Sequence, residues 1–90
     1  MKYSINGREI EFITISENPN NYTIFRHFKN KDYAILTIAK DCETLTDIVV
    51  YKALYLPDTY WTREASEFFS LVDREKYPDV IQKYRFEKVN

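Results

Sequence analysis

The chain has 90 residues, of which 13 are basic and 14 acidic, giving a formal net charge of -1 and a pI near 5.8. This balance excludes the global positive field that drives non-specific nucleic-acid binding, but it leaves a local basic patch open. No apolar run approaches the roughly 20 residues that span a bilayer, and the first residues form no signal-peptide pattern. We therefore expect a single small globular domain in the cytoplasm, with no membrane partner.

The chain contains a single cysteine, Cys42, and it falls in the sequence Asp41-Cys42-Glu43-Thr44. One cysteine forms neither an intrachain disulfide nor a multi-cysteine zinc site, which agrees with a reducing compartment. The surrounding polar residues predict a turn, so we expect an exposed thiol.

Residues 1–21 predict a β-hairpin or an appended strand. Asn6-Gly7 is a two-residue turn signal, because both central positions of a type I′ turn need a positive φ. Apolar residues that include Ile10 and Phe12 follow in a strand-like pattern, and the polar stretch from Ser16 to Asn21 predicts a loop. We place here the boundary between an N-terminal extension, residues 1–21, and the main domain, residues 22–90.

Three strands are predicted in the middle of the chain, and a helix follows them. The strands cover Tyr22–Lys29, Tyr33–Lys40 and Leu45–Leu56, the last being the longest and the expected central strand. The Pro57-Asp58-Thr59 turn reverses the chain and makes a hairpin of Thr46–Arg63. A helical apolar spacing then predicts a short helix over about Arg63–Val72, with Thr62 as its cap. The helical stripe comprises Ala65, Phe68, Phe69 and Val72.

The C-terminal residues complete a mainly β fold. One turn of helix is expected over Asp79–Lys83, and alternation over Tyr84–Val89 predicts a closing strand. Five to seven short strands with one short helix are typical of a small barrel.

Four blocks of this sequence form an ordered set. The blocks are Tyr22 with Phe25-Arg26-His27-Phe28-Lys29, Ala39 with Glu43-Thr44, Val49 to Tyr55, and Trp61 with Arg63 and Phe68. The set covers roughly Tyr22 to Val72 and resembles the DUF1653 family, a family of small bacterial domains of unknown function. The resemblance implies an SH3-like β-barrel, without an activity, ligand or catalytic residue. Asp41 stands where the family often has a second histidine, so no site built on two histidines is expected.

His27 is the only histidine and the only side chain whose ordinary pKa lies near neutrality. No nucleophile or orienting carboxylate has a recognisable spacing around it, so we expect a structural strand histidine ahead of an acid/base residue or a metal ligand. No metal and no cofactor are expected.

Two further groups could meet a ligand. Arg26, His27 and Lys29 form the densest basic run, and its interleaved aromatics are typical of a surface for single-stranded nucleic acid. Tyr60 and Trp61 at the turn could line a groove for an extended peptide. Strand alternation offers a simpler interpretation of both groups, with rings in the core and charges in water.

Arg63 is predicted at the start of the helix, where it could hold an anion or form an ion pair with a nearby carboxylate.

Three hypotheses follow from the sequence. The first is a non-enzymatic binding module for an anionic or extended ligand, such as nucleic acid, a nucleotide or a peptide. The second is a small-metabolite-binding protein or enzyme that uses His27 and Arg63. The third is a structural or assembly protein whose N-terminal hairpin adds a strand to a neighbour, as a monomer or weak homo-oligomer. The binding module uses Arg26, His27, Lys29, Tyr60, Trp61 and Arg63.

Overall fold

The computed structural model describes residues 1–90 and shows a mainly β protein with seven strands and one short helix. These numbers confirm the predicted mainly β class and the short strands. The elements are β1 (Lys2–Ile5), β2 (Arg8–Glu11), β3 (Phe25–His27), β4 (Lys31–Lys40), β5 (Asp47–Ala53), β6 (Tyr60–Glu64), α1 (Ala65–Phe68) and β7 (Phe86–Lys88).

The strands form two antiparallel sheets. β1 and β2 form a two-stranded sheet, and the other five strands are ordered β6-β5-β4-β3-β7. β4 is therefore the central strand and also the longest, whereas the sequence predicted both properties for Leu45–Leu56. The predicted hairpin over Thr46–Arg63 is confirmed, since β5 pairs with β6 from Ile48 opposite Glu64 to Lys52 opposite Tyr60.

The five-stranded sheet does not close, so the predicted SH3-like barrel is not confirmed. β7 is only three residues long and pairs with β3, which leaves β6 and β7 as the two edges. Aromatic side chains pack between α1, β7 and β5. The ring of Phe68 from α1 stacks on Phe86 of β7 at 4.0 Å, and it also lies 5.2 Å from the ring of Tyr51 on β5.

The N-terminal hairpin is confirmed and packs against the main sheet. Asn6 and Gly7 have φ values of 53° and 73°, as the two-residue turn requires. Ile10 and Phe12 are buried in the same hydrophobic cluster as Phe25 and Phe68. The following segment also bonds to β4, through Ile15 N–H to the Ile35 carbonyl at 2.8 Å.

Several predicted element boundaries are wrong because long-range contacts determine them. The first predicted strand, Tyr22–Lys29, is reduced to Phe25–His27, because Thr23 bonds to Ile13 of the N-terminal segment. The predicted helix over Arg63–Val72 is a single turn over Ala65–Phe68. Arg63 still belongs to β6, and Val72 N–H already bonds to the Lys83 carbonyl.

The remaining corrections concern capping and the C-terminal segment. Thr62 lies within β6 and therefore does not cap the helix, whose N-cap residue is Glu64. Asp79–Lys83 contains no helix, and the closing strand covers Phe86–Lys88 only. Cys42 is exposed, as predicted.

Phe86 on the edge strand β7 packs against aromatic side chains of the interior strands and of α1. It is 2% exposed, and its ring lies within 5.6 Å of the rings of Tyr33 and Tyr51. We predict that Phe86→Ala lowers the free energy of unfolding by about 3–5 kcal/mol, because it removes a buried ring and leaves a cavity. Urea denaturation measures this difference.

The control for this prediction is Ile81→Ala, since Ile81 is 97% exposed. We expect the control to change the free energy of unfolding by no more than about 0.5 kcal/mol. Equal losses for the two variants would contradict the central role of Phe86.

Candidate functional site

The strand register assigns the predicted ligand-binding residues to two faces of the five-stranded sheet. His27 lies opposite Lys31 and Phe86, and Trp61 lies opposite Tyr51. Because side chains two apart in a strand share a face, His27, Trp61 and Arg63 all belong to the face that α1 covers. We call this the inner face.

Arg26 and Tyr60 belong to the opposite face. Arg26 lies opposite Asp32 and Glu87, and its guanidinium forms a two-point contact with the Asp32 carboxylate, at 2.8 and 3.2 Å. This contact raises the pKa of Arg26 and lowers that of Asp32. Tyr60 lies opposite Lys52. The structure therefore separates the six predicted residues, and a single compact ligand does not contact all of them.

His27 lies at the border of the core, half-buried between aromatic rings. Its ring centroid is 4.2 Å from that of Phe28 and 4.9 Å from that of Phe86. Burial, together with the charges of Arg85, Arg63 and Lys29, lowers the pKa of His27 to about 4. All three charges are cations and disfavour the imidazolium form, so the ring is neutral at pH 7.

The hydrogen bonds of His27 determine its tautomer. Nδ1 accepts a hydrogen bond from the backbone N–H of Lys29 at 3.1 Å, which requires the proton of the neutral ring to sit on Nε2. Nε2 has no partner within the protein, and no buried polar side-chain atom lacks one. Nε2 therefore reaches solvent. It presents an N–H donor, not a proton acceptor.

Arg63 lies on the same inner face and is held from two sides. Its Nε donates to the Tyr51 hydroxyl at 3.4 Å, and one terminal nitrogen donates to Glu67 at 2.6 Å. Burial opposes the charge of Arg63, but these two partners outweigh it and raise the pKa of the guanidinium. Its Cζ is 6.0 Å from the centre of the Phe86 ring, which His27 also contacts.

Arg85 is a site residue that the sequence analysis missed. Its Nε lies 3.5 Å from the Ser70 hydroxyl, and its cation is the strongest charge acting on His27. Strand alternation alone did not single it out. What brings Arg85 to His27 is the pairing of β7 with β3, together with the bond from Phe28 N–H to the Arg85 carbonyl.

Lys29 and Trp61 lie at the margins of this group. Lys29 follows β3, and its Nζ lies 5.5 Å from the centre of the Tyr77 ring. Trp61 is 49% exposed on β6. The group formed by His27, Arg63 and Arg85 with the rings of Tyr51 and Phe86 is the candidate site, and we call it the His27 cluster.

Other kinds of site have less support. None of the five surface cavities is lined by both His27 and Arg63. No group of three or more His, Cys, Asp or Glu side chains is arranged to hold a metal ion. No helix of the protein has the length and apolar character needed to cross a membrane.

Removing one cation of the His27 cluster should change the titration of the histidine. We predict that Arg85→Gln raises the pKa of His27 above about 4, because a positive neighbour disfavours the imidazolium form. The pKa should stay below its ordinary value of 6.5, since burial, the larger cause, is unchanged. NMR titration of the single imidazole measures this shift.

Lys2→Gln is the control for this titration, because Lys2 pairs loosely with Glu9 in the hairpin, at 3.9 Å. An equal shift in both variants, or none in Arg85→Gln, would contradict the proximity of Arg85 to His27.

Comparison with known proteins identifies the family. No curated protein and no solved structure matches the chain. The model of one family, described as "Protein of unknown function (DUF1653)", matches residues 23–88. This range contains the whole five-stranded sheet and every residue of the His27 cluster. Because the match covers most of the chain, the protein belongs to the DUF1653 family.

Proposed function

We propose that the protein is a non-enzymatic binding module that holds an anionic group at the His27 cluster. One observation carries this proposal. The charges that lower the pKa of His27 belong to the cations Arg85, Arg63 and Lys29, and the carboxylate paired with one of them is Glu67, on Arg63. An incoming phosphate or carboxylate would supply the missing negative charge.

The donors of the cluster suit an oxyanion. Arg63 uses Nε and one terminal nitrogen for internal partners, which leaves its other terminal nitrogen for a ligand. Arg85 uses only Nε, and Nε2 of His27 adds a neutral N–H. Hydrogen bonds from a guanidinium to an oxyanion are short and strong, and a partly buried setting strengthens them.

Trp61 supports an extended ligand such as a single-stranded nucleic acid. It shares the inner face with Arg63 and presents about half of its surface to solvent. A base stacked on an exposed ring typically contributes about 1–3 kcal/mol, whatever its identity. A phosphate at Arg63 with a base on Trp61 is therefore the arrangement that we favour within the anionic class.

The second sequence hypothesis, an acid/base role for His27, has weaker support. His27 and Arg63 do share one face, but no surface cavity is lined by both. In addition, the lone pair on Nδ1 is already used by Lys29, and the cations around the ring oppose its protonation. These features suit a hydrogen-bond donor in a binding site better than a general base.

We also propose a barrel-like fold, a single globular unit and a cytoplasmic location. The SH3-like barrel is supported by the curl of the sheet, which brings Phe86 of β7 within 5.6 Å of Tyr51 on β5. Residues 1–21 are proposed as part of one globular unit, supported by the burial of Ile10 and Phe12. A cytoplasmic location is supported by the single, exposed cysteine.

We predict that the protein binds oligothymidylate and that Arg63→Gln weakens this binding about tenfold or more. A hydrogen bond to a charged group contributes roughly 1.5–3 kcal/mol, which sets that scale. The tryptophan fluorescence of Trp61 and the amide shifts of the inner face measure binding. Arg85→Gln should weaken binding similarly, and it breaks only a long contact with Ser70.

Arg26→Gln is the matched control, because Arg26 is an arginine of the same sheet on the opposite face, paired with Asp32. We expect its affinity to be that of the wild type. Equal losses at Arg26 and Arg63 would indicate non-specific attraction. If inorganic phosphate, nucleotides and oligothymidylate all fail to change the fluorescence of Trp61 and the amide shift of His27, the proposal is wrong.

The affinity should also depend on pH in a defined direction. A bound anion favours the imidazolium form, so the pKa of His27 in the complex lies above its value of about 4 in the free protein. By linkage, the affinity for oligothymidylate rises as the pH falls through the pKa of the complex towards about 4. Phosphodiesters and thymine bases do not change charge in this range. His27→Gln should remove the rise, and fluorescence titrations across the range measure it.

A further inference from the structure

We propose that two copies of this chain associate by antiparallel pairing of their β6 strands, centred on Thr62, to form one continuous ten-stranded sheet. This inference concerns the outer backbone edge of β6 and does not depend on anion binding, although its side-chain pairs include Arg63 of the His27 cluster. It also differs from the assembly suggested by the sequence, in which the N-terminal hairpin added a strand to a neighbour.

The outer edge of β6 presents unpaired backbone groups. Ala53 N–H bonds to the Thr59 carbonyl at 2.9 Å, so Ala53 and Thr59 are a hydrogen-bonded pair in the register that joins β5 and β6. Hydrogen-bonded and non-hydrogen-bonded pairs alternate along antiparallel strands. Counting in steps of two from Thr59, Trp61 and Arg63 also bond to β5. The N–H and C=O groups of Tyr60 and Thr62, and the N–H of Glu64, therefore point outward.

β6 lacks most of the usual protection of an edge strand. Natural edges are shortened, bulged, or carry proline, lysine or an inward-pointing charge, which prevents association; of these features β6 has the inward-pointing Arg63. β6 runs for five residues with an unbroken register, and its sequence, Tyr-Trp-Thr-Arg-Glu, contains neither proline nor lysine. The other edge, β7, is three residues long and ends in Lys88. The two edges of the sheet thus differ in a way that selects β6.

The side chains of β6 are complementary to themselves when the strand is reversed about Thr62. In that register Tyr60 lies opposite Glu64 of the second copy, and Thr62 lies opposite its own equivalent. Trp61 lies opposite Arg63 of the second copy, at a position where side chains approach most closely. An arginine against an indole is a favourable cation–π pair, and the two-fold symmetry creates it twice.

Neighbouring registers are less favourable. Only registers that join outward-pointing residues form hydrogen bonds, so the strand shifts in steps that preserve this parity. Shifting the centre to Arg63 places two arginines opposite each other, and shifting it to Trp61 leaves Arg63 without an acidic or aromatic partner in β6. The side chains of β6 are accessible to a partner, since Tyr60 and Trp61 are 55% and 49% exposed.

The symmetry has a consequence for the inner face. A two-fold axis through the centre of an antiparallel strand pair is perpendicular to the sheet, so both inner faces lie on the same side. Two His27 clusters would then face one direction across a shared pair of tryptophans.

Sedimentation of the full chain tests the proposal. We expect a dimer that dissociates on dilution, and Thr62→Pro should be monomeric at every concentration. Proline removes only the outward N–H of Thr62, and edge strands tolerate proline at such positions. Thr62→Val keeps the N–H and should remain dimeric. A wild type that is monomeric at the highest attainable concentration, or a dimeric Thr62→Pro, overturns the proposal.

Cysteine cross-linking provides a second test that does not depend on the folding of the proline variant. In a Cys42→Ser background, Thr62→Cys places two thiols on opposed residues, whose Cα atoms lie about 5.5 Å apart, within the range for a disulfide. Mild oxidation should yield a covalent dimer. Tyr60→Cys, the control, should not cross-link, since Tyr60 lies opposite Glu64 of the second copy. Cross-linking that is equal at both positions would contradict the Thr62-centred register.

Discussion

The stack of Phe68 on Phe86 is the contact on which the rest of the structure depends. The two rings lie 4.0 Å apart and nearly parallel, and they join the one-turn helix to the last strand. Phe86 also contacts Tyr33, Tyr51 and His27, which belong to three different strands. A single ring on the edge strand β7 therefore contacts all three interior strands of the sheet. It is also one of the two aromatic rings of the His27 cluster.

The same packing explains the electrostatics of the cluster. Phe86 and Phe28 shield the imidazole from water, and this burial is the largest cause of the lowered pKa of His27. Arg63 and Arg85 then contribute positive potential from β6 and from the residue before β7. A histidine that stays neutral among cations is a hydrogen-bond donor at physiological pH, and this chemical character distinguishes the cluster from an acid/base site.

β6 carries two separate roles in this interpretation. Its inner-facing residues, Trp61 and Arg63, border the His27 cluster, whereas its outward backbone groups are free for another strand. Both roles arise because β6 is an edge strand. An interior strand would have its backbone fully paired, and its aromatic side chain would be buried. The two proposals thus place a ligand site and an assembly surface on one short strand.

The sequence by itself determined the class of fold, the Asn6-Gly7 hairpin, the β5–β6 hairpin and the family, because these depend on local turn geometry, alternation and an ordered set of residues. It also singled out His27, Trp61 and Arg63. The tertiary structure alone decided that Arg26 and Tyr60 face the other way, that Arg85 joins His27, and that the sheet stays open. The helix is one turn long, shorter than predicted, because the Val72 N–H bonds to the Lys83 carbonyl. Each of these outcomes depends on pairing between distant strands, which local periodicity does not encode.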